Sequence, residues 1–243
     1  MKFKWKKPRN YKLSKKATKK QEENNTVPSV ATVRHIVNRA LGNVVETKHA
    51  DYLFEPTAAN ALYHNVWYLM ETDPLTILQG SQDSEAVNPP NRIGDSVYSV
   101  GIKLNMLFYM FNDRPNQAIR ILILKVKPDT PAVSNPCLHP QGVSNIINPV
   151  DMENSRYGSV VFDKVFVFNN NITIPGSTLI RDTKFNFQRY IKIGKKVKYE
   201  DGINSARNFT YNIWVCAYDT VSSNTTDNIA RFSYCRRHYF KDA

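Results

Sequence analysis

The chain has 243 residues, of which 33 are Lys or Arg and 21 are Asp or Glu, so its formal net charge at pH 7 is +12. Its 42% hydrophobic and 12% aromatic residues are enough to fill a core, which argues against a wholly disordered protein. No apolar run reaches the roughly 18 residues of a membrane span, and no apolar secretory signal opens the chain, so we expect it in the cytosol or nucleus when made. Three cysteines without paired spacing argue against a disulfide framework.

Residues 1–28 are predicted to be a disordered basic arm with a short polar linker. Residues 1–20 hold ten Lys or Arg and no Asp or Glu, and the rest of the chain has 23 against 21, a net charge of +2. The arm has too few apolar residues to offset the entropy of ordering it. The predicted nucleic-acid-binding residues are its basic residues, two of its aromatic residues and two arginines of the next segment: Lys2, Lys4, Trp5, Lys6, Lys7, Arg9, Tyr11, Lys12, Lys15, Lys16, Lys19, Lys20, Arg34 and Arg39.

The chemistry of the arm favours single-stranded nucleic acid as its partner. Lysines neutralise phosphates regardless of base sequence, and this attraction weakens steeply with salt. Phe3, Trp5 and Tyr11 are able to stack on unpaired bases. An alternative is that the arm is only a nuclear import signal read by import receptors, with "KKPRNYKLSKK" as its core. The two roles are compatible.

Residues 29–42 are predicted to form an amphipathic helix. Val30, Val33, Val37 and Leu41 recur at spacings of three and four, which is the helical period. Ser29 or Thr32 is expected to cap its start, and Gly42 to mark its end. The apolar stripe must pack either on the rest of the chain or on the same helix of neighbouring subunits.

Residues 43–243 are predicted to be all-β, as a single eight-stranded antiparallel jelly roll of two four-stranded sheets. In "SVYSVGIKLNMLFYM" apolar and polar residues alternate, as in a strand with one buried face. "AIRILILKV" is apolar on both sides, which predicts a central strand covered on both faces. The long connections favour a jelly roll over a chain of tight hairpins. The predicted strands are 44–54, 61–70, 96–111, 117–127, 158–170, 184–199, 209–218 and 229–240.

The order of these segments resembles that of a known protein family. The segments are "DPLTILQG", "NRIGDSVYSVGIKLNMLF", "RPNQAIRILILKVK", "RYGSVVFDKVFVF", "FNFQRYIKIGKKVKYEDG", "YNIWVCAYD" and "RRHYFKDA". Together they resemble the single jelly-roll capsid proteins of small circular Rep-encoding single-stranded DNA viruses (CRESS-DNA, circovirus-like), and also the coat protein of satellite tobacco necrosis virus. The resemblance implies a T=1 icosahedral shell of roughly sixty subunits, with the arms inside around a single-stranded genome.

Enzyme motifs are missing from the sequence, so we expect no catalytic activity. The nine glycines form neither a GxGxxG motif nor a P-loop, and no HExxH or GxSxG occurs. Cys137 and His139 offer two zinc ligands, but no second pair lies at metal spacing, so a loop thiol beside an imidazole is the favoured interpretation. Carboxylates that are candidates for calcium between subunits, the one cofactor considered, are Asp95, Asp151, Glu153 and Asp242.

Two further groups of residues have simpler interpretations. Asp151 and Glu153 are most simply solvated turn residues. In the triplet Arg236 to His238, strand alternation places Arg237 opposite its two neighbours, so the triplet cannot act as one patch. Large aromatic residues of the predicted strands are expected in the core or at subunit interfaces: Trp67, Phe162, Phe187 and Trp214.

We therefore predict a viral capsid protein that assembles with copies of itself and packages single-stranded nucleic acid, most simply circular DNA, in a virion assembled in the host nucleus. Satellite-like coats keep RNA open as the cargo. A first alternative is a non-viral jelly-roll binding protein, of the lectin or cupin kind, with a basic nuclear-targeting tail. A cupin requires a metal-binding cluster of His and Glu, and none is evident. A second alternative is an enzyme on a β-sandwich, which the missing motifs disfavour.

Overall fold

The computed structural model describes residues 29–44, 47–54, 61–80, 91–111, 116–128, 130, 133, 135–138, 151–169, 183–219 and 225–242, with side chains of the helix described through residue 37. The chain divides into two units, residues 1–45 and residues 46–243. The arm, residues 1–28, lies outside the described residues. Its predicted contacts with nucleic acid therefore stay predictions.

The first unit contains the predicted helix, α1, which runs from Val30 to Val44. The Thr32 amide donates to the Ser29 hydroxyl at 3.2 Å, and the Val33 amide donates to the Ser29 carbonyl at 2.9 Å. Ser29 is therefore the N-cap, as predicted. The helix continues two residues beyond Gly42, so the predicted end was wrong by one half-turn.

Apolar side chains along the first half of α1 are exposed, namely Val30, Val33, Ile36 and Val37. Arg34 is exposed as well, whereas for Arg39 the structure describes only the helical backbone. Among the described residues, no helix is both long and apolar enough to cross a membrane. The predicted packing of this apolar stripe, on the rest of the chain or on the same helix of neighbouring subunits, stays a prediction.

In the second unit, the described residues form nine strands. Their bounds are β1 Lys48–Phe54, β2 Ala61–Tyr63, β3 Val66–Glu71, β4 Ser96–Met110, β5 Asn116–Val126, β6 Ser159–Asn169, β7 Thr183–Lys198, β8 Thr210–Asp219 and β9 Asn228–Asp242. One sheet has the order β1-β9-β4-β7, with β2 also paired to β9, and the other has the order β3-β8-β5-β6. The pairings within these sheets are antiparallel.

The predicted strand 61–70 is broken into β2 and β3. Asn65 lies between them with a φ of 58°, a left-handed conformation that Asn tolerates better than most residues. Because of this break, β2 joins the first sheet and β3 joins the second. The prediction of two four-stranded sheets was therefore wrong by one short strand, and the sheets have five and four strands.

The strand pairing identifies the jelly roll. If β2 and β3 count as one run that crosses between sheets, the second unit has eight runs. The first run pairs with the last, the second with the seventh, the third with the sixth and the fourth with the fifth. These pairs are β1 with β9, β3 with β8, β4 with β7 and β5 with β6. This nested order is produced by wrapping one long hairpin into two sheets. The predicted jelly roll is thus confirmed by topology.

The main core lies between the two sheets. Inward residues such as Leu104, Phe108, Ile121 and Phe232 are completely or almost completely buried. Phe187 also lies in this core, and Phe162 packs against it half-buried. The alternation predicted for β4 is confirmed from Ile102 to Met110, where every second residue is buried. It was wrong before the bulge between Ser99 and Gly101, because there Tyr98 is exposed and Ser99 is buried.

A second apolar cluster covers the outer face of the four-stranded sheet. It consists of Trp67, Leu122, Leu124, Val126, Cys137, Trp214 and Cys216. Part of the long connection after β5 supplies Cys137 and packs Val133 and Tyr157 against it. Strand β5 is therefore covered on both faces, as predicted. The outer face of the five-stranded sheet is different, because it carries polar and charged side chains.

Candidate nucleic-acid interface

The outward side of the five-stranded sheet concentrates positive charge, and we call it the basic face. Side chains alternate along each strand, so residues next to buried ones point outward: Lys103 stands between the buried Ile102 and Leu104. Described outward positions on β4, β7 and β9 hold eight cationic residues, against one carboxylate, Asp51 of β1. The cationic residues are Lys103, Lys184, Lys192, Lys196, Lys198, Arg231, Arg237 and Lys241.

The strand register brings these cations together from distant parts of the sequence. Lys103 pairs with Tyr190 on one side and with Arg237 on the other. Tyr109 pairs likewise with Lys184 and Arg231. Residues 21–243 hold 23 Lys or Arg and 21 Asp or Glu, so this part of the chain is nearly neutral in total. That sum hides a marked asymmetry between the surfaces of the folded part.

A row of aromatic rings crosses the basic face. The ring centroids of His49 and Tyr239 are 6.4 Å apart, and those of Tyr239 and Tyr190 are 6.3 Å apart. Tyr239 lies on β9 and Tyr190 lies on β7. Between these two strands lies Gly101 of β4, which pairs with Lys192 and Tyr239. His49 and Tyr190 are exposed, and Tyr239 is half-buried. Exposed rings beside cations are the combination that binds single strands without regard to sequence, because every base has a face on which to stack.

Gly101 gives the Tyr190 ring its place in this row. A Cβ at position 101 would contact the Tyr190 phenol and would lie 2.6 Å from the backbone oxygen of Ile191. The phenol is able to move, but the backbone oxygen is held in the β4–β7 ladder. The absence of a side chain at this position therefore lets the Tyr190 ring lie across β4.

We expect Gly101→Ala to destabilise the second unit by about 1–2 kcal/mol and to displace Tyr190, because an overpacked site forces backbone shifts. Urea unfolding measures the stability, and nuclear magnetic resonance of labelled tyrosine rings, with Tyr190→Phe to assign the signal, reports the position of the Tyr190 ring. Ser233→Ala, on the outward side of neighbouring β9, adds no volume and is the matched control. A Gly101→Ala variant as stable as the parent would show that the β4–β7 ladder accommodates the added Cβ without loss of stability.

Arg237 is partly neutralised within the face. Its guanidinium donates to both carboxylate oxygens of Asp51, at 2.7 and 2.6 Å, and this fork lowers the pKa of Asp51 and raises the pKa of Arg237. Both side chains are about half exposed, so the pair contributes little to stability. They line a groove of about 410 Å³ together with Lys103, which has no ion pair with a described carboxylate.

The neighbours of Arg237 in the triplet point the other way, as predicted from alternation. Arg236 is buried, and its Nε donates to the Glu71 carboxylate at 3.1 Å. His238 is fully buried, with its Nε2 2.8 Å from the Ser99 hydroxyl. Burial, with a smaller contribution from the charge of Arg236, lowers the pKa of His238 to about 3. Both side chains are therefore structural and not available to a ligand.

The four calcium candidates lie in two separate parts of the fold. Asp95 is exposed, 3.7 Å from Arg92, and Asp242 forms an ion pair with Lys48 at 2.5 Å. These two flank the start of β4, whereas Asp151 and Glu153 lie in the segment before β6. The described residues contain no group of three His, Cys, Asp or Glu placed to hold a metal. Calcium between subunits stays a prediction.

Asp151 corrects the interpretation of its pair as solvated turn residues. It is 6% exposed, and its backbone oxygen accepts a hydrogen bond from Arg120, whose guanidinium also forms an ion pair with Asp163. Glu153 forms an isolated bridge with Cys137. Hence this segment is part of the cover over the four-stranded sheet.

Cys137 is poorly suited to zinc. Burial raises the pKa of its thiol to about 12, so the thiol stays protonated, and the thiolate is the form that ligates metal. The predicted partner His139 lies outside the described residues. The thiol is buried in the second apolar cluster and does not stand free in the loop.

The folded chain is weakly similar to several solved proteins. No protein-family model matches it, and no curated protein matches it. Similarity to a chain of the T13 IBDV viral particle covers 82% of this chain and 31% of that one, at 10% identity and a TM-score of 0.29. Similarity to Mud Crab Dicistrovirus covers 82% and 70%, also at 10% identity and a TM-score of 0.29. A CocE/NonD family hydrolase from Staphylococcus aureus covers 81% and 36%, at 10% identity and a TM-score of 0.21.

The chain thus spans less than two thirds of the first of these proteins. Because the TM-scores are low, the jelly-roll assignment depends on the strand order alone.

Proposed function

We propose that this protein is a viral capsid subunit that assembles with copies of itself and packages single-stranded nucleic acid. The observation that carries the proposal is the basic face, on which eight cations surround a row of aromatic rings while the chain outside the arm is nearly neutral. Cations neutralise phosphates, and exposed rings accept unpaired bases. The role is structural and not catalytic.

The arm and the basic face act together in this proposal. In this proposal both bind the genome, the arm as a tether and the face as a fixed surface. In a closed shell of roughly sixty copies, the arms alone bring on the order of six hundred positive charges to one cavity. Single-stranded DNA is the proposed cargo, because the order of sequence segments resembles that of circovirus-like capsid proteins. Assembly in the host nucleus follows from the same resemblance.

Jelly rolls also occur in lectins and cupins, so the fold does not decide between these functions. The distinguishing feature is again charge. A sheet face with eight cations and one carboxylate fits a polyanion that extends over the surface.

Electron microscopy of the purified full chain tests assembly. We expect uniform closed spheres, because jelly-roll subunits bury their edges and loops against neighbours in closed symmetric assemblies. A single monomeric species at moderate salt contradicts the proposal.

Deleting residues 1–20 tests packaging by the arm. Shells are expected to form, but their nucleic-acid content, judged by the ultraviolet absorbance ratio, is expected to fall sharply because ten cations per subunit are lost. A variant with the ten Lys and Arg replaced by Gln keeps the length of the arm and is expected to behave alike. Unchanged nucleic-acid content in both variants contradicts the role of the arm.

Digestion of packaged material with DNase or RNase identifies the cargo.

A further inference from the structure

A second cationic surface lies on the other side of the β7 edge, in a cleft of about 500 Å³ that we call the cationic cleft. It is formed where β5 ends, where the turn before β6 begins and where the chain enters β8. Gly158 forms part of its wall. A Cβ there would lie 2.5 Å from the backbone oxygen of Lys125, so the absence of a side chain lets the turn approach β5 this closely.

Three cations line the cleft: Lys125, Lys127 and Arg156. None of its described lining residues is a carboxylate, and none of the three cations forms an ion pair with a described carboxylate. The Lys125 ammonium is held 4.4 Å from the centre of the Phe209 ring. Burial, and then the nearby charge of Lys195, lower the pKa of Lys125. Like charges gathered without a counter-charge are destabilising, and an anion between them removes the repulsion.

The remaining polar lining suits an oxyanion. Thr130, Ser155 and Ser159 add hydroxyl donors. The Asn208 amide is already committed to the backbone, since it accepts from the Lys198 amide at 3.2 Å and donates to the Lys196 carbonyl at 2.9 Å. The cleft therefore offers cations and hydroxyl donors around a cavity. A phosphate group, whose oxygens accept hydrogen bonds and carry the opposite charge, complements that set.

The cleft continues the basic face around the edge of the sandwich. Lys195 lies beside Lys125, and the next residue, Lys196, belongs to the basic face. We propose that the cationic cleft is a phosphate-binding site, and that in the assembled particle it takes a backbone phosphate of the packaged strand. The choice of nucleic acid as the source of the phosphate rests on the proposed function, whereas the phosphate site itself does not.

Amine acylation followed by peptide mass spectrometry tests the site on the full chain. Only the neutral amine reacts, and an anion in contact raises the amine pKa by about one unit or more, so saturating inorganic phosphate is expected to slow labelling of Lys125 about tenfold. Lys164, exposed on β6, is the internal reference, and chloride at equal ionic strength is the salt control. The double variant Lys127→Gln, Arg156→Gln is expected to lose the protection, while Arg189→Gln, which lies off both the cleft and the basic face, keeps it. Labelling of Lys125 that phosphate does not change overturns the site.

A second experiment uses an oligothymidylate in place of inorganic phosphate, and its binding is followed separately by fluorescence polarisation. Protection of Lys125 by both phosphate and the oligonucleotide supports the whole proposal. An oligonucleotide that binds but leaves Lys125 unprotected overturns its nucleic-acid part and leaves the proposed function intact. Protection by phosphate from a chain that binds no oligonucleotide supports the phosphate site and contradicts the proposed function.

Discussion

Replacing Lys103, Lys184 and Lys192 with glutamine is expected to weaken binding of a labelled oligothymidylate on the order of 100-fold at about 0.1 M salt. Each phosphate neutralised on a single strand contributes about 0.7 to the slope of log affinity against log salt, so three contacts account for about 2. The three lysines lie on β4 and β7, and none forms an ion pair with a described carboxylate. Lys184 and Lys192 are about 26 Å apart along β7, so they reach different phosphates. Polarisation titrations at several salt concentrations measure both quantities.

A matched variant separates the basic face from net charge. Arg189→Gln, Lys164→Gln and Arg207→Gln also remove three positive charges, but these residues lie off the basic face. This control is expected to change the salt slope little. If both triple variants lower affinity equally, the interface is diffuse and the basic face has no special role.

The second unit is expected to lose about 2–3 kcal/mol of stability between about pH 6.5 and pH 4.5, because of His238. Its pKa in the folded state is about 3, since the ring is fully buried beside Ser99 and near Arg236. The unfolded chain binds a proton on this imidazole below about pH 6.5, whereas the folded chain does not until much lower pH. Acid therefore favours the unfolded state throughout this window. Urea unfolding of dispersed subunits at a series of pH values measures the slope.

His238→Gln is expected to flatten that slope while lowering stability at neutral pH, because the amide cannot reproduce the packing of the ring. His49→Gln is the control, since His49 is about half exposed on the basic face. A parent protein whose stability does not change over this range contradicts the assignment of a neutral buried imidazole.

Sequence patterns predicted the features that depend on local periodicity. The alternation of β4 from Ile102 to Met110, the two covered faces of β5 and the opposite direction of Arg237 are confirmed by the structure. The bulge after Ser99 reverses the predicted alternation at the start of β4, and no local period reveals such a bulge. The break at Asn65 was missed, because an Asn within a strand pattern does not by itself show that its backbone adopts the left-handed conformation. Nothing in the apolar run around it marks a change of sheet.

Features that depend on register were not predictable from the sequence. Lys103, Lys192 and Arg231 are far apart along the chain, and only the pairing of β4 with β7 and β9 places them on one surface. The signal was present in the lysines of "RYIKIGKKVK", but it has no meaning until the partner strands are known. The burial of Asp151 was missed for a related reason, since it depends on Arg120 beneath it.

The break at Asn65 has a mechanical consequence. β2 is hydrogen-bonded to β9 in one sheet, and β3 is hydrogen-bonded to β8 in the other. The few backbone residues between β2 and β3 therefore connect the two sheets covalently at this point. A sideways force on one layer therefore reaches the other through covalent bonds as well as through side-chain packing. Sliding of one sheet over the other is therefore opposed at Asn65.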